Sequence, residues 1–252
     1  MKCKNCDNKV DGQFCSQCGQ NSKIDKLNLP NFLTEISDNV FQLNRGLLYT
    51  IKELFTRPGH AIRGFIQGKR KNYFKPIAYA LTLSTLYFIF SKIISKKTII
   101  GDTISGFIDA STGDVEKFSI LTSSLEWLAS NVAYAALILI PIYSFASYMS
   151  FLGKGYNYLE HIVLNSYIVG QQAIIYSIFL LPSIFISNDY YIQILMIIIS
   201  ISYVVWTFKT FFHEQRLIAT TLRLVLVYLL IFIFIIGIFT AVSLGEMVIK
   251  KY

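Results

Sequence analysis

The sequence predicts an all-α membrane protein that carries a small cysteine-rich head at its N-terminus. Of its 252 residues, 54% are hydrophobic and 15% are charged, whereas a soluble domain carries roughly 25% charged residues. Five stretches are apolar over about 20 residues, the length that a helix needs to cross a bilayer. All four cysteines fall within the first 18 residues. Collagenous, disordered and disulfide-scaffold chains are excluded, because Gly is 14, Pro is 5 and Phe is 20.

The head is defined by two C-x2-C pairs separated by eight residues, formed by Cys3, Cys6, Cys15 and Cys18. Two such knuckles can place four thiolates around one tetrahedral Zn²⁺ at about 2.3 Å per bond. Disulfides or redox-active pairs are the alternative, but redox pairs usually begin a helix in a thioredoxin-like unit, and no such pattern follows. We therefore expect a structural zinc ribbon over residues 1–22, with zinc supplying the folding energy of so short a module.

A four-thiolate zinc site has no open coordination position, which favours recognition or scaffolding over zinc catalysis. Lys2, Lys4 and Lys9 surround the ribbon, but Zn²⁺ with four thiolates carries two negative charges that offset them. Nucleic-acid binding is therefore not expected. We expect a protein partner instead, bound through the ribbon or through the membrane helices.

Residues 23–75 are predicted to form an amphipathic, basic neck before the membrane domain. Apolar residues at three-to-four spacing between 27 and 55 predict one or two amphipathic helices, interrupted near Asn44–Gly46 and ended by Pro58-Gly59. Residues 1–75 hold 13 Lys+Arg against 6 Asp+Glu, so +7 of the formal net charge of +8 lies there. Six basic residues of the neck are expected to contact anionic lipid headgroups: Arg57, Arg63, Lys69, Arg70, Lys71 and Lys75. The alternative is that they form an ordinary positively charged flank of the first span.

The helical transmembrane domain is predicted over residues 76–252, with spans near 76–94, 129–150, 162–186, 190–208 and 222–244. The turn Ser187–Asp189 is so short that spans three and four should form an antiparallel hairpin. Three polar residues of span three are expected to form interhelical hydrogen bonds, namely Asn165, Gln171 and Gln172. The many Tyr and Phe residues are expected mostly at the lipid-facing surface and the interfaces.

Orientation is predicted from the basic residues near the span ends, because cytoplasmic flanks retain the excess. With the head inside, the inner flanks hold ten Lys and Arg residues and the outer side six. The cysteine-rich head independently indicates a reducing compartment, and the first 25 residues contain no apolar core of a secretory signal. The N-terminus is thus expected in the cytoplasm and the C-terminus outside.

One group of ionisable residues is expected at the cytoplasmic ends of spans three and four: Glu160, His161, His213 and Glu214. The hairpin brings these ends together, and imidazole with carboxylate can ligate a metal or relay a proton. Interfacial capping and salt bridging is the structural alternative. No G-x-G-x-x-G, Walker A, G-x-S-x-G or H-E-x-x-H motif is present, so the sequence favours a protein that is not an enzyme.

Three stretches carry a resemblance to a known family: Phe14–Gln20, Gly68–Pro76 and Tyr156–His161. With these three stretches in this order, the chain resembles, over nearly its full length, an uncharacterised family of bacterial multi-spanning membrane proteins. That family is known only as a domain of unknown function. The resemblance implies an N-terminal zinc ribbon, a multi-helix membrane domain and hence the inner membrane of a bacterium. It implies no activity.

Two functions follow as hypotheses. The first is a membrane-anchored binding, scaffold or regulatory component of a larger assembly, whose ribbon docks a partner. The alternative is a small solute or lipid transporter that uses the Glu160, His161, His213 and Glu214 cluster.

Overall fold

The computed structural model describes residues 1–22, 46–94, 106, 123–124, 127–128, 132–186, 190–213 and 216–249. Within these residues the regular structure is helical, and the head adds two isolated β-bridges. The predicted neck helix before residue 46, most of the connection 95–128 and the turn Ser187–Asp189 lie outside the described residues. The predicted all-α membrane class is confirmed.

The described neck forms two helices, α1 (Gly46–Thr56) and α2 (Pro58–Ile66). The sequence predicted that Pro58-Gly59 would end the helical pattern; α1 does end just before it, at Thr56, and Pro58 also begins a second helix. A proline ring fixes φ near its helical value, and its missing N–H costs nothing in the first turn of a helix. The predicted apolar stripe of α1 is only partly buried, because Leu54 is 1% exposed and Leu48 is 76% exposed.

The membrane domain contains five helices among the described residues: α3 (Pro76–Ile93), α4 (Val132–Ser150), α5 (Tyr158–Ser183), α6 (Tyr190–Phe211) and α7 (Leu217–Ile249). Four of them, α3, α5, α6 and residues 217–242 of α7, are long and apolar enough to cross a membrane. In α4 the apolar helical segment is shorter and covers Ile138–Ser150. Each predicted span therefore overlaps a helix, although four helices and not five meet the criteria for crossing a membrane among the described residues. Helix α7 extends beyond the predicted span of 222–244 at both ends.

Helix α5 lies at the centre of the domain and contacts α3, α4 and α6. The interhelical hydrogen bonds predicted for its three amides are confirmed. The Asn165 Nδ2 amide donates to Ser147 Oγ of α4 at 3.0 Å, and the Gln172 Nε2 amide donates to Ser200 Oγ of α6 at 2.8 Å. The Tyr79 hydroxyl of α3 donates to Gln171 Oε1. Such bonds hold helices together where lipid offers no polar partner.

Many Tyr and Phe side chains are exposed on the helices, as expected, but others are buried in the core where the neck meets α3 and α5. The ring centroids of Phe65 and Tyr167 are 5.7 Å apart, and those of Tyr79 and Tyr167 are 5.6 Å apart, both edge to face. The Tyr167 hydroxyl donates to the Phe74 carbonyl at 2.7 Å. Edge-to-face rings add to the burial of their large apolar area, so these aromatics join the neck to α3 and α5.

Three segments meet at this same end of the helices. A Cβ built on Gly59 of α2 would overlap the backbone of Thr210 and Phe211 at the end of α6. Tyr156, in the loop between α4 and α5, has its ring centroid 4.5 Å from that of Phe211. The neck, the α4–α5 loop and the end of α6 therefore share one end of the domain. Contacts between α5 and α6 at both Gln172–Ser200 and Tyr156–Phe211 show that these two helices run antiparallel, as predicted.

Candidate metal centre and the adjoining basic surfaces

The head consists of two equivalent knuckles related by a twelve-residue shift. In the first, Cys3 N–H donates to Asn8 O and Asp7 N–H donates to Cys3 O, at 2.8 and 2.9 Å. In the second, Cys15 N–H donates to Gln20 O and Gly19 N–H donates to Cys15 O, both at 2.8 Å. The residues at the tight turn have positive φ in both knuckles, 59° at Asp7 and 69° at Gly19, a conformation that glycine and, among other residues, Asp and Asn tolerate best.

The two knuckles converge on one point through their thiols. Cys3 Sγ lies 3.6 Å from Cys18 Sγ, and Cys6 Sγ lies 3.5 Å from Cys15 Sγ. All four Sγ atoms lie within 4.8 Å of one another, and all four cysteines are free. Four sulfurs at about 2.3 Å from one tetrahedral ion stand about 3.8 Å apart. The four cysteines thus form a cluster that could hold a metal ion, and its spacing fits a tetrahedral thiolate site.

Hydrogen bonds from backbone amides favour the thiolate form, which is the form that binds a metal. The amides of Asn5 and Cys6 lower the pKa of Cys3, and the amide of Cys18 lowers the pKa of Cys15 to about 7. At Cys6 the amide of Asn8 acts in the same direction, but burial and the neighbouring thiols raise its pKa to about 12. Deprotonation of all four thiols would therefore crowd more negative charge than the amides alone can stabilise, and a bound divalent cation would relieve this repulsion.

One side chain, Gln20, joins the head to the neck. Gln20 is 5% exposed and follows the last knuckle. Its Nε2 amide donates to Gly68 O at 3.0 Å, and its Oε1 accepts from the N–H groups of Arg70 and Lys71, both at 3.1 Å. Two of the three stretches that carry the family resemblance, Phe14–Gln20 and Gly68–Pro76, are therefore in direct contact.

The six basic residues of the neck separate into two groups. Lys69, Arg70, Lys71 and Lys75 lie in the loop that follows α2, where the loop meets the head. Arg57, the N-cap residue of α2, and Arg63, within α2, lie instead on the side of the neck that faces the end of α6. The Arg57 guanidinium pairs with both carboxylate oxygens of Glu53, at 2.8 and 3.0 Å. The Arg63 Nη1 group donates to the carbonyls of Thr210 and Phe211, the latter at 2.8 Å.

A cleft of about 510 Å³ opens where α2 meets the end of α6. No motif in the sequence predicted it, because its walls come from segments about 150 residues apart. Its lining combines two threonines, one tryptophan and five basic or titratable side chains: Thr56, Arg57, His60, Arg63, Trp206, Lys209, Thr210 and His213.

The described residues of the predicted Glu/His cluster lie in different surroundings from one another. The Glu160 carboxylate accepts from Asn157 N–H at 2.8 Å, while Asn157 Oδ1 accepts from Glu160 N–H at 2.9 Å, a capping box that begins α5. His161 is 1% exposed, and its Nδ1 lies 2.8 Å from Ser147 Oγ.

His213 is exposed and lines the cleft, while Glu214 lies outside the described residues. The ends of α5 and α6 do meet, through the rings of His161 and Phe212, whose centroids are 5.6 Å apart. A ligand shared by the two histidines stays a prediction.

These features define a helical membrane protein with a cluster of four cysteines at its N-terminus. A family model described as a protein of unknown function (DUF3667) matches residues 44–88, which include α1, α2 and the first part of α3. The match contains Gly68–Pro76, whereas the resemblance was expected over nearly the full length. No curated protein and no solved structure shows a significant match to the chain.

Proposed function

We propose that this chain is a membrane-anchored docking protein, in which a zinc ribbon at the membrane surface binds a protein partner within a larger assembly. The observation that carries the proposal is the attachment of the head to the membrane domain by Gln20. Three hydrogen bonds from one buried side chain hold the ribbon on the neck loop. A head held in this way presents a defined surface at a fixed distance from the bilayer.

Zinc is the proposed ion because its chemistry suits the donors. Thiolate is a soft ligand, and four thiolates in tetrahedral spacing are typical of structural zinc sites. With all four positions taken by sulfur, the ion would have no site for substrate or water. The ribbon then acts through its surface.

The surface of the head offers an apolar contact for a partner. Phe14 is 61% exposed, although it stands next to the buried Cys15. Exposed aromatic residues are enriched at protein interfaces, where their burial contributes strongly to binding. We infer that Phe14 is the main contact of the ribbon with its partner.

The charge and the thiols support a cytoplasmic position for the head. The neck, the head and the end of α6 share one end of the domain and carry the excess of basic residues, which supports a cytoplasmic placement in a bacterial inner membrane. Reduced cysteines suit the same compartment. Lys69, Arg70, Lys71 and Lys75 would then lie close to anionic headgroups of the inner leaflet.

Photo-crosslinking in native membranes tests the docking function. A photo-reactive residue at Phe14 should give a protein adduct that disappears when Cys15→Ser removes a zinc ligand. The same residue at the exposed Gln17 of the second knuckle is the matched control and should give much less of that adduct. Equal adducts from both positions, or an adduct that survives Cys15→Ser, would count against docking through the ribbon.

The placement of Glu160 and His161 supports docking over transport. Each is engaged in holding α5: Glu160 caps its first turn, and His161 bonds to α4. Residues that line a transport path need access to a cargo, whereas His161 is 1% exposed. Uptake or efflux by purified chain in liposomes that is lost on His161→Ala would reverse this preference.

A further inference from the structure

We propose that the cleft between α2 and the end of α6 is a binding site for a phosphate-bearing anion, and that the headgroup of an anionic phospholipid suits it best. The proposal uses a different surface from the ribbon and rests only on the membrane placement of the helices. The cleft gathers Arg57, His60 and Arg63 from the neck with Lys209 and His213 from the end of a membrane helix.

The charge around the cleft is not cancelled by its own partners among the described residues. Glu53 offsets Arg57, and the carbonyls at the end of α6 occupy one nitrogen of Arg63. Lys209, with His60 and His213, remains beside them, and none of the eight described lining residues is a carboxylate. The cleft therefore keeps a positive field, which favours a phosphate group as its ligand.

The donors that a phosphate would use can be identified. The hydroxyls of Thr56 and Thr210 donate to carbonyls of their own helices, so they do not donate into the cleft. A guanidinium has five N–H groups, and the bonds described engage two of those of Arg57 and the two on Nη1 of Arg63. The remaining N–H groups, together with the Lys209 ammonium, are the donors available to an anion.

The position of the cleft selects a lipid over a soluble anion. The cleft lies at one end of α6, and Trp206 in its wall is 38% exposed. Tryptophan is enriched at the level of lipid headgroups. Farther along α6, large apolar side chains face outward, such as Leu195 and Ile198, which are 50% and 55% exposed. A phospholipid could place its phosphate in the cleft and its acyl chains along this face of α6.

The two walls of the cleft are in direct contact with each other, which favours a site of defined shape. Gly59 lets the backbone of α2 touch that of Thr210 and Phe211, and Arg63 donates to both of their carbonyls. The walls of the cleft are thus held by backbone contact and by hydrogen bonds. A diffuse basic surface, by contrast, would attract any anionic leaflet without selecting a headgroup.

Native mass spectrometry of the purified full chain in neutral detergent tests the site, with phosphatidylglycerol and phosphatidylcholine as probes. The wild type should retain phosphatidylglycerol in preference to phosphatidylcholine. Lys209→Glu removes one positive charge and adds one negative charge, so it should reduce this retention by at least about fivefold, the factor expected for the loss of one basic residue near the surface alone. Lys52→Glu makes the same change on an exposed residue of α1 outside the cleft and should leave retention unchanged.

Titration calorimetry with inorganic phosphate distinguishes the two sources of the anion. Phosphatidylglycerol retention that depends on Lys209 identifies a lipid headgroup site, whereas phosphate binding alone that depends on Lys209 identifies a site for a soluble phosphate. If neither probe responds to Lys209→Glu, or if Lys52→Glu has an equal effect, the proposal is overturned. Unchanged zinc content and thermal midpoint in Lys209→Glu show that folding is intact. The crosslinking of Phe14 to a partner does not depend on the cleft, so a negative result for anion binding can be distinguished from a negative result for docking.

Discussion

Gln20 is the single residue on which the attachment of the head depends most. It is buried, and its amide satisfies one carbonyl and two N–H groups of the neck loop. Removing one partner from buried polar groups leaves the others unsatisfied, at a cost of about 1–3 kcal/mol. The loss falls on the contact between head and neck, because the Gln20 side chain is not part of the cluster of four cysteines.

Gln20→Ala should release the head from the neck without loss of metal. The N–H groups of Arg70 and Lys71 lose their acceptor, Gln20 Oε1, so their hydrogen exchange should become faster. Hydrogen exchange followed by mass spectrometry measures this in the peptide that contains residues 68–75. Gln17→Ala removes an exposed amide from the same knuckle and should leave exchange unchanged. Equal exchange in Gln20→Ala and wild type would show that the head is held by other contacts.

At the residue scale, the sequence predicted the cysteine cluster but not the surroundings of the histidines. Two C-x2-C pairs constrain four thiols to short loops, so their convergence depends little on the rest of the fold. The placement of His161 and His213 depends instead on how α5 and α6 rotate about their axes. A span that is apolar on all sides gives no periodic signal for that rotation.

Helix α2 packs closely, backbone to backbone, against the end of α6. Gly59 is buried in the first turn of α2 against the end of α6, where a side chain would overlap the backbone of Thr210. At Gly64, in the same helix, the nearest atom to the position of an added Cβ is Lys69 Cδ, at 3.8 Å. The two glycines therefore differ in whether another helix occupies the space of a Cβ.

Gly59→Ala should destabilise the chain, and Gly64→Ala should not. Alanine in a helix interior is favoured over glycine by roughly 0.5–1 kcal/mol, so Gly64→Ala should raise the thermal midpoint slightly. Gly59→Ala should lower it, because α2 must move away from α6; an overpacked site typically costs about 1–3 kcal/mol. Thermal unfolding in detergent, followed by circular dichroism, compares them. A Gly59→Ala midpoint as high as that of Gly64→Ala would contradict the packing described.

The helix boundaries show how far elements can be predicted from sequence. Pro76 begins α3 at the predicted residue, because a proline in the first turn of a helix is a strong start signal. Pro58 is the same signal, but beside Gly59 it predicts only the end of α1, whereas it also begins α2. Helix α7 exceeds its predicted span because apolar content sets the length that can lie in a bilayer, whereas backbone hydrogen bonding sets where a helix ends.

At the scale of the whole molecule, the segments predicted to lie on the cytoplasmic side do come together. The head contacts the neck loop through Gln20, the neck contacts the end of α6 through Gly59, and the α4–α5 loop contacts the same end through Tyr156. Because these segments share one end of the domain, the chain must cross the membrane an even number of times between any two of them. Charge bias predicts the side on which they lie, and buried aromatics such as Phe65 and Tyr167 hold them together.

Reporter fusions test this topology. Fusions after Asn21 and Gly155 should both report the cytoplasm, and fusions after Thr112, Asn188 and Tyr252 should report the outside. The first pair tests the fold directly, because the head and the α4–α5 loop belong to one end of the domain. Opposite readings for Asn21 and Gly155 would contradict that arrangement. A cytoplasmic reading after Tyr252 would require an even number of spans.

We have proposed that the four thiols of the head, which is fixed to the membrane domain, hold one zinc ion. The most direct measurement is the metal content of the purified chain, by mass spectrometry of the element and of the intact protein. We predict one zinc per chain, its loss in Cys15→Ser, and full retention in Ser16→Ala, which changes the neighbouring exposed residue. Purified chain without stoichiometric zinc, or with Cys3, Cys6, Cys15 and Cys18 joined in disulfides, would contradict the claim.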